Sequence, residues 1–252
     1  MKYNILDVTF NIPVRIESPE RLRNLTMVVS YLQKHFSTNI LVGESSPKPT
    51  LRNLCKPCGY IHFQNDESHF HRTRLLNNLA RASGTPYIVN YDVDVLLKPD
   101  SIMESVDMLR KKKADIVFPY GGMFRNIRGD LVNEFKHKLD MMIINDTNTH
   151  KLNPKSYGGA VFWNKEAFMD VGMENENFCS WGLEDNERMT RAARLKKKMF
   201  RVPGTLYHLD HSRGNDSSEH NPFYAKNSEE LNKIAAMNGK QVRAYINTWS
   251  WV

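Results

Sequence analysis

The stretch YIVNYDVDVLLKPD, residues 87–100, contains an apolar run that is typical of a buried β-strand and that runs into two carboxylates. These acids, Asp92 and Asp94, are two residues apart, so a strand through them would direct both side chains to one side. Two carboxylates that close repel each other unless a cation lies beside them. Mg²⁺ and Mn²⁺ are bound at nucleotides by one or two carboxylates together with phosphate oxygens. The pair alone suits a metal site and a solvated strand end, whose acids contact lysines such as Lys98, equally well.

Strand and helix patterns alternate on both sides of this stretch. Residues 3–14 have a strand pattern, and Ser18-Pro19-Glu20 has the N-cap, first-turn proline and early acid of a helix start. The other segments predicted in the first half are strands within 39–44, 60–63 and 114–120 and helices within 70–83 and 101–113, the last capped by Asp100. This alternation predicts an α/β fold of Rossmann-like type, with a mostly parallel central sheet flanked by helices. In such folds ligands bind at the carboxyl ends of the strands, which is where Asp92 and Asp94 lie.

The second half of the chain is less regular. It predicts a strand followed by a short helix within 157–172, a helix over 184–198 and a strand within 200–212. We expect one main domain over residues 1–225. The tail, residues 226–252, is predicted to be helical and to pack on this domain or extend from it.

The net charge of +7 indicates an anionic partner, such as nucleic acid, anionic lipid or a nucleotide substrate. The basic runs at 110–113 and 194–198 end predicted helices, where cations favour the helix dipole, so we expect no nucleic-acid partner. The chain has no apolar run of about 18 residues and no signal-peptide pattern at its start, which predicts a cytoplasmic protein. The tryptophans of the tail, Trp249 and Trp251, suit either core packing or peripheral contact with the inner face of a membrane.

The sequence has three cysteines, and two of them form the pair Cys55 and Cys58 in CKPC. A structural zinc site usually needs two such pairs, so a reduced loop pair is the preferred interpretation. Whether this pair binds metal stays open.

Other polar side chains have the chemistry that a nucleotide site needs. His208 and His211 follow a predicted strand, and imidazole suits Mn²⁺-type ions beside carboxylate, although such pairs are often structural. Three arginines, Arg15, Arg72 and Arg74, lie after a strand or at a helix start. They suit either surface salt bridges or pairing with a diphosphate.

Glu184 and Asp185 open a predicted helix directly behind Trp181 and Gly182. Acids at this position are ordinary helix-capping residues. An aromatic ring, a glycine and a carboxylate also suit a hydroxylated ligand that needs a general base.

Together these motifs resemble the GT-A class of nucleotide-sugar glycosyltransferases, over roughly residues 5–225. The most similar groups are the inverting β-galactosyltransferases of family 7 and the bacterial family 2 and chondroitin-polymerase-like enzymes. The motifs that carry the resemblance occur in family order and read IPVR, FHRTRLLNN, DVD, YGGAVFWNKEAFMDVG, WGLEDNE and HLDHSR followed by NP.

The resemblance implies roles for individual residues. Asp94 and His211 would be metal ligands, and His208 stands where the family has a methionine ligand. The residues implied at the nucleotide, diphosphate and sugars are Arg15, Arg72, Arg74, Asp92, Val93, Gly159 and Trp181. Asp185 would be the catalytic base, and Glu184 would orient a sugar.

The implied activity is metal-dependent, inverting transfer of a hexose from a UDP-sugar to a hydroxyl of an oligosaccharide or lipid-linked saccharide. The implied cofactor is Mn²⁺ or Mg²⁺, the favoured sugars are galactose and N-acetylgalactosamine, and the implied process is surface polysaccharide synthesis. Two alternatives stay open. One is a retaining transferase on the same fold, and the other is a non-catalytic protein that binds a nucleotide-sugar or carbohydrate.

Overall fold

Strands and helices alternate along the chain. The computed structural model describes residues 2–53, 58–67, 69–212, 214 and 218–252. The strands are β1 (Tyr3–Val14), β2 (Phe36–Ser46), β3 (Gly59–Gln64), β4 (Tyr87–Tyr91), β5 (Val95–Leu96), β6 (Ile116–Phe118), β7 (Met123–Ile127), β8 (His150–Asn153), β9 (Ala160–Asn164), β10 (Met199–Arg201) and β11 (Thr205–Leu209). The α-helices are α1 (Pro19–His35), α2 (Arg72–Ala82), α3 (Pro99–Arg110), α4 (Asp130–Lys138), α5 (Lys165–Asp170), α6 (Glu184–Arg194), α7 (Tyr224–Ala235) and α8 (Gly239–Ile246), and a short 3₁₀ helix covers Met141–Ile143.

The main sheet, within the described residues, has seven strands in the order β10–β6–β9–β4–β1–β2–β3. Most of its neighbouring strands are parallel, and β9 alone among the described strands of this sheet runs antiparallel to its neighbours β4 and β6. Helices cover the sheet, and the edge-to-face contacts of Phe10 with Tyr91 and Phe162 lie in its buried centre. The predicted α/β architecture with a mostly parallel central sheet is confirmed.

The segment 86–95 is not one strand, as its apolar pattern predicts, but two strands in different sheets. β4 ends at Tyr91, the acidic motif forms a turn, and β5 pairs antiparallel with β11. The Asp92 N–H donates to the Gly159 carbonyl at 2.8 Å, and the Asp94 carbonyl accepts from the Leu209 N–H at 2.8 Å. These bonds hold the backbone as it passes from one sheet to the other. Asp92 and Asp94 are therefore turn residues, and the period-two argument for their side chains does not apply.

The second sheet has four strands in the order β5–β11–β7–β8 among the described residues, and the sequence patterns did not predict it. The segment 200–212 was expected to be one strand, but Pro203 and Gly204, with φ +119° at the glycine, separate β10 from β11. Proline removes a backbone donor, so the ladder is interrupted there. As a result β10 joins the main sheet, while β11 carries His208 into the second sheet.

Helix starts were predicted with mixed success. The Ser18 hydroxyl caps α1 by accepting from the Arg21 N–H at 3.2 Å, as expected. Asp100 does not cap α3, because the helix begins at Pro99 and the cap position is Lys98. Proline has no N–H and is favoured at the first helical position, which leaves Asp100 within the first turn.

The tail folds as the helices α7 and α8 and packs against the rest of the chain. Ile234, Val242, Ile246 and Trp249 form a buried cluster. The guanidinium of Arg191, in α6, lies 5.2 Å from the centre of the Trp249 ring. Trp249 is thus a packing residue. In the part of the chain that the structure describes, no helix is both long enough and apolar enough to cross a membrane.

The CKPC pair is described only in part, because Cys55 lies outside the described residues. Cys58 is half-buried, and the Gln33 side-chain amide donates to its Sγ at 3.4 Å. Burial raises the pKa of the Cys58 thiol. A metal role for the pair stays untested.

Candidate active site

A cavity of about 190 Å³ lies at the carboxyl ends of β1 and β4 and is closed on its other sides by the starts of α2 and α6 and by the end of β11. This is the edge at which parallel α/β sheets bind ligands. The residues predicted for the site that line the cavity are Arg15, Arg72, Asp92, Val93, Asp94, Trp181, Glu184, Asp185, His208 and His211.

Arg74 and Gly159 are not among the lining residues. Arg74 is exposed on α2, two positions beyond Arg72, and a two-residue step on a helix points to a different face. Gly159 has φ +82°, and a Cβ there would lie 2.9 Å from Leu206 Cδ1. Its carbonyl accepts from the Asp92 N–H. Gly159 therefore supports the acidic turn, and roles for both residues at the donor stay predictions.

Asp94, His208 and His211 come together as one cluster. His211 Nε2 lies 3.1 Å from Asp94 Oδ2, and His208 Nε2 lies 3.7 Å from Asp94 Oδ1. The three ligand atoms all lie within 4.8 Å of one another. One carboxylate and two imidazoles at this spacing suit a divalent transition-metal ion.

The orientation of both imidazoles fits a metal site. His208 Nδ1 lies 2.8 Å from Asn126 Oδ1, and the Asn126 amide nitrogen donates to Asp210 at 2.7 Å. His211 Nδ1 lies 2.7 Å from the Ser212 carbonyl oxygen. Because both oxygens accept, each Nδ1 carries the proton, and in the neutral ring the lone pair is on Nε2. Such a second hydrogen bond fixes the tautomer of metal-binding histidines.

Arg21, which the sequence patterns did not single out, also contacts this cluster. Its Nη1 donates to Asp94 Oδ2 at 2.7 Å. Burial raises the pKa of Asp94, but His208, His211 and Arg21 together outweigh that effect and hold the pKa below its usual range. An arginine in the first turn of α1 opposes the helix dipole. That unfavourable placement was the available signal.

Arg72 is the main cation beside the acidic turn. Its Nε and Nη2 donate to Asp92 Oδ1 at 3.0 and 2.5 Å, and its Nη1 lies 4.0 Å from Glu184 Oε1. Arg72 Nη1 and Arg15 Nη1 are buried and have no hydrogen-bond partner among the described residues. The site therefore contains guanidinium N–H donors that are not hydrogen-bonded to its own acids.

Glu184 and Asp185 begin α6 after a tight turn, with φ +119° at Gly182 and +72° at Leu183. Glu184 Oε2 accepts from the Gly182 N–H at 3.0 Å. Burial, and secondarily the charge of Asp185, raises the pKa of Glu184 to about 7. A carboxyl that is half-protonated near neutral pH can either donate or accept a hydrogen bond.

Asp185 is held differently. Its Oδ1 accepts from Arg188 Nη1 at 2.8 Å, and a Cβ on Gly158 would lie only 2.2 Å from its Oδ2. The carboxylate thus fits between an arginine and a glycine backbone. The sequence patterns identified neither neighbour as a partner of Asp185.

Trp181 lies at the mouth of the cavity and is 45% exposed. Its ring stacks on Tyr224 with a centroid distance of 6.3 Å and an interplanar angle of 15°. Asn221, from the NP motif, donates its side-chain amide to the Trp181 carbonyl at 2.9 Å. The motif that ends the predicted metal loop therefore also holds the backbone of Trp181.

Comparisons with known proteins match part of the chain. The family model of the N-terminal domain of galactosyltransferase matches residues 140–213. No curated protein matches the sequence. The solved structures that are similar include the catalytic domain of Drosophila beta1,4galactosyltransferase 7 in complex with xylobiose, which is 16% identical, with a TM-score of 0.48.

A second similar structure is a mutant of the same Drosophila enzyme in complex with manganese, UDP-Gal and xylobiose, 16% identical, with a TM-score of 0.49. In both comparisons the match covers 79% of this chain and 64% of the other. The chain thus spans under two thirds of the length of these structures. The family-model match confirms the predicted resemblance to galactosyltransferases over residues 140–213, the segment that carries Asp185, His208 and His211.

Proposed function

We propose that this protein is a metal-dependent glycosyltransferase that moves a hexose from a UDP-sugar to a hydroxyl of a saccharide acceptor, with inversion at the anomeric carbon. The main supporting observation is the set of side chains that line one cavity. They include a three-residue cluster that suits a divalent ion, guanidinium groups for a diphosphate and a carboxylate beside an exposed tryptophan. The family-model match over residues 140–213 supports galactose as the sugar, and we propose N-acetylgalactosamine as the second candidate.

Asp94, His208 and His211 would hold Mn²⁺ or Mg²⁺. When bound, such an ion neutralises the charge that develops on a diphosphate leaving group. The carboxylate of Asp94 is well suited to this role because it stays ionised, as its lowered pKa indicates.

The arginines bind and orient the donor. Arg72 Nη1 and Arg15 Nη1 are buried without a hydrogen-bond partner among the described residues, and guanidinium groups make strong charge-assisted hydrogen bonds with phosphate oxygens. Arg72 is also tied to Asp92, which fixes the direction of its planar group. A diphosphate in the cavity would use the donors that the protein leaves unused.

The carboxylates at the start of α6 act on the acceptor. Asp185 accepts the proton of the acceptor hydroxyl while the hydroxyl oxygen bonds to the anomeric carbon on the side opposite the diphosphate. The bond from the anomeric carbon to the phosphate oxygen breaks and UDP leaves, so the configuration inverts. Glu184, with its pKa near neutrality, orients a sugar hydroxyl by donating or accepting. Trp181 stacks on the acceptor ring, as exposed aromatic side chains do with amphipathic partners.

The proposal also places the protein in the cytoplasm, in peripheral contact with an anionic membrane surface, where a lipid-linked acceptor for polysaccharide synthesis would be found. The supporting observation is that two lysine runs far apart in sequence meet, because β6 and β10 pair in parallel just after them. The Asp115 N–H donates to the Lys198 carbonyl at 2.8 Å at this point. The exposed lysines of these two runs are Lys111, Lys112, Lys113, Lys196 and Lys198. Pelleting with anionic and with neutral liposomes tests this contact.

A donor screen tests the activity. The purified protein with Mn²⁺ is incubated with UDP-galactose, UDP-N-acetylgalactosamine, UDP-glucose, UDP-N-acetylglucosamine and UDP-glucuronate, with and without saccharide acceptors, and UDP release is measured. We expect release that depends on metal and increases with an acceptor, and proton NMR of the product should show inversion. Binding of UDP-sugars without release under any condition would instead support a non-catalytic binding protein.

A further inference from the structure

We propose that Arg188 is a positioning residue that holds the Asp185 carboxylate in its reactive orientation, and that the buried acid Glu174 holds Arg188 in turn. This inference rests on the proposed function, because it assigns the residues that prepare the base. Neither residue belongs to the motifs that suggested the site.

The contacts form a chain from the interior to the cavity. Arg188 Nη1 donates to Asp185 Oδ1 at 2.8 Å, and Arg188 Nε donates to Glu174 Oε1 and Oε2 at 2.9 and 3.0 Å. The side chains of Arg188 and Glu174 are 1% and 0% exposed, whereas Asp185 is 27% exposed. The outer end of the chain, Asp185, therefore reaches the cavity while its supports are inaccessible.

Glu174 is itself fixed from several elements. Asn90, in β4, donates its amide to Glu174 Oε1 at 2.6 Å. Asn77, in α2, accepts from the Glu174 N–H at 2.8 Å and donates to the Glu174 carbonyl at 3.0 Å. β4 leads into the acidic turn, and α2 begins with Arg72. One buried acid thus ties together the elements that carry the metal ligand, the diphosphate cation and the base.

The charges of Glu174 and Arg188 are compatible with a general base at Asp185. Burying ions is costly unless they are paired and hydrogen-bonded, so a buried pair is weak evidence of a stabilising role. An arginine that faced Asp185 alone would also weaken that carboxylate as a proton acceptor. Because Glu174 pairs with the Arg188 guanidinium through two bonds, Arg188 can orient Oδ1 without adding an unpaired positive charge beside the carboxylate, and Oδ2 makes no bond to the arginine. Oδ2 is the oxygen packed against Gly158.

The test uses variants that remove both buried charges together, because a single substitution would leave one of them unpaired. In Glu174→Gln with Arg188→Met, the amide still accepts from Asn90 and the methionine replaces the arginine stem. The matched control is Glu187→Gln with Arg191→Met, the other buried pair of α6, whose closest N–O distance is 2.6 Å and whose side chains are both 1% exposed. That pair makes no contact with Asp185 that the structure describes.

We expect the first double variant to lower kcat by about tenfold to a hundredfold, less than the outright loss of a general base. KM for the UDP-sugar should change less than about twofold, and the control should keep kcat at a similar melting temperature. Arg188→Lys, which retains a cation, should restore part of kcat. Equal kcat in both double variants, or a loss that follows melting temperature in both, would overturn the inference.

Crystal structures can test the positioning role even if the proposed function is wrong. If the wild type turns over no UDP-sugar, the proposed function fails, and crystal structures of wild type and the Glu174→Gln, Arg188→Met variant still decide the positioning role. The inference predicts that the Asp185 carboxylate leaves its place beside Gly158 in the variant. An unchanged carboxylate would contradict it.

Discussion

Glu184 and Asp185 are adjacent in sequence but lie in different electrostatic surroundings. Asp185 faces Arg188 at 2.8 Å, whereas Glu184 is buried, lies 4.0 Å from Arg72 and is disfavoured as an anion by Asp185. Two carboxyls in such different surroundings can take different roles in one reaction. This difference supports the proposed roles, proton acceptance by Asp185 and sugar orientation by Glu184.

The raised pKa of Glu184 has a consequence for stability. Because the pKa rises from 4.5 to about 7, the folded state binds this proton more tightly than the unfolded state. The stabilisation is fully present below pH 4.5 and is lost as pH rises to about 7, a loss of about 3 kcal/mol. Glu184→Gln should remove this dependence, as measured by urea unfolding at several pH values between 4 and 8.

The exposed acid Glu104 provides the control for that experiment, since Glu104→Gln should leave the pH profile of stability parallel to the wild type. A Glu184→Gln profile that also ran parallel to the wild type would refute the raised pKa.

Asp185→Asn should abolish most of the turnover and leave nucleotide binding intact. The amide keeps the shape of the carboxylate but cannot accept the proton of the acceptor, so kcat should fall by about a hundred- to ten-thousandfold. UDP affinity, measured by calorimetry with Mn²⁺, should stay within about twofold. Near-normal turnover would remove Asp185 from the role of base.

At the residue scale, the sequence predicted which residues line the cavity better than it predicted which side chains contact them. Acids after an apolar run and histidines after a strand pattern were enough to predict members of the cavity. Arg21 and Glu174 were not found, because they act through contacts between different segments. Arg188 was missed although it lies three residues after Asp185 on the same face of α6. A charged residue that pairs across the fold has the same local pattern as one on a solvated helix face.

At the scale of elements, the turn between β4 and β5 determines where the acids of the site lie. It carries the backbone from one sheet into the other, and the glycine pair before β9 lies beside it. The apolar pattern of residues 87–97 continues through both strands, so periodicity could not reveal the change of sheet. The short strands β5 and β10 have two and three residues, which gives little periodic signal.

Gly158 tests how closely the element before β9 constrains the base. Its backbone does not have a positive φ, so alanine is compatible with its conformation, but the new Cβ would lie 2.2 Å from Asp185 Oδ2. Gly158→Ala should displace the carboxylate and lower kcat by roughly a hundredfold, the scale expected for a misplacement of about 1 Å.

The control is Gly84→Ala, because no atom lies within 4 Å of the Cβ that it would add. Its kcat should equal that of the wild type. If Gly158→Ala also kept full kcat, the close approach of Asp185 to this glycine would have no role in the reaction.

At the scale of the whole molecule, the tail is part of the folded body. The helices α7 and α8 pack on α6, which begins with the two acids of the site, and Asn227 of α7 donates to the Cys179 and Gly182 carbonyls at 2.9 and 3.1 Å. The tail was predicted to be helical, and α7 and α8 are the helices that the structure has there. The domain boundary near residue 225 stays a prediction.

A substitution of Trp249 tests how much the packing of the tail contributes to the free energy of unfolding. The residue is 6% exposed and contacts Trp251, Tyr245 and Arg191. Trp249→Ala should lower the free energy of unfolding by about 3 to 5 kcal/mol, as measured by urea titration. Trp181→Ala, at the exposed tryptophan, should cost about 1 kcal/mol or less. Equal losses in the two variants would mean that the tail is not packed as described.

The central claim is that a divalent ion binds between the acidic turn that joins the two sheets and two histidines, His208 in β11 and His211 just after it. The most direct test is a crystal soaked with MnCl₂ and UDP, with anomalous diffraction collected at the manganese edge. We predict one strong peak in contact with Asp94 Oδ and with Nε2 of His208 and His211, joined to the diphosphate. A map with ordered UDP and no manganese peak at these three side chains would contradict the account.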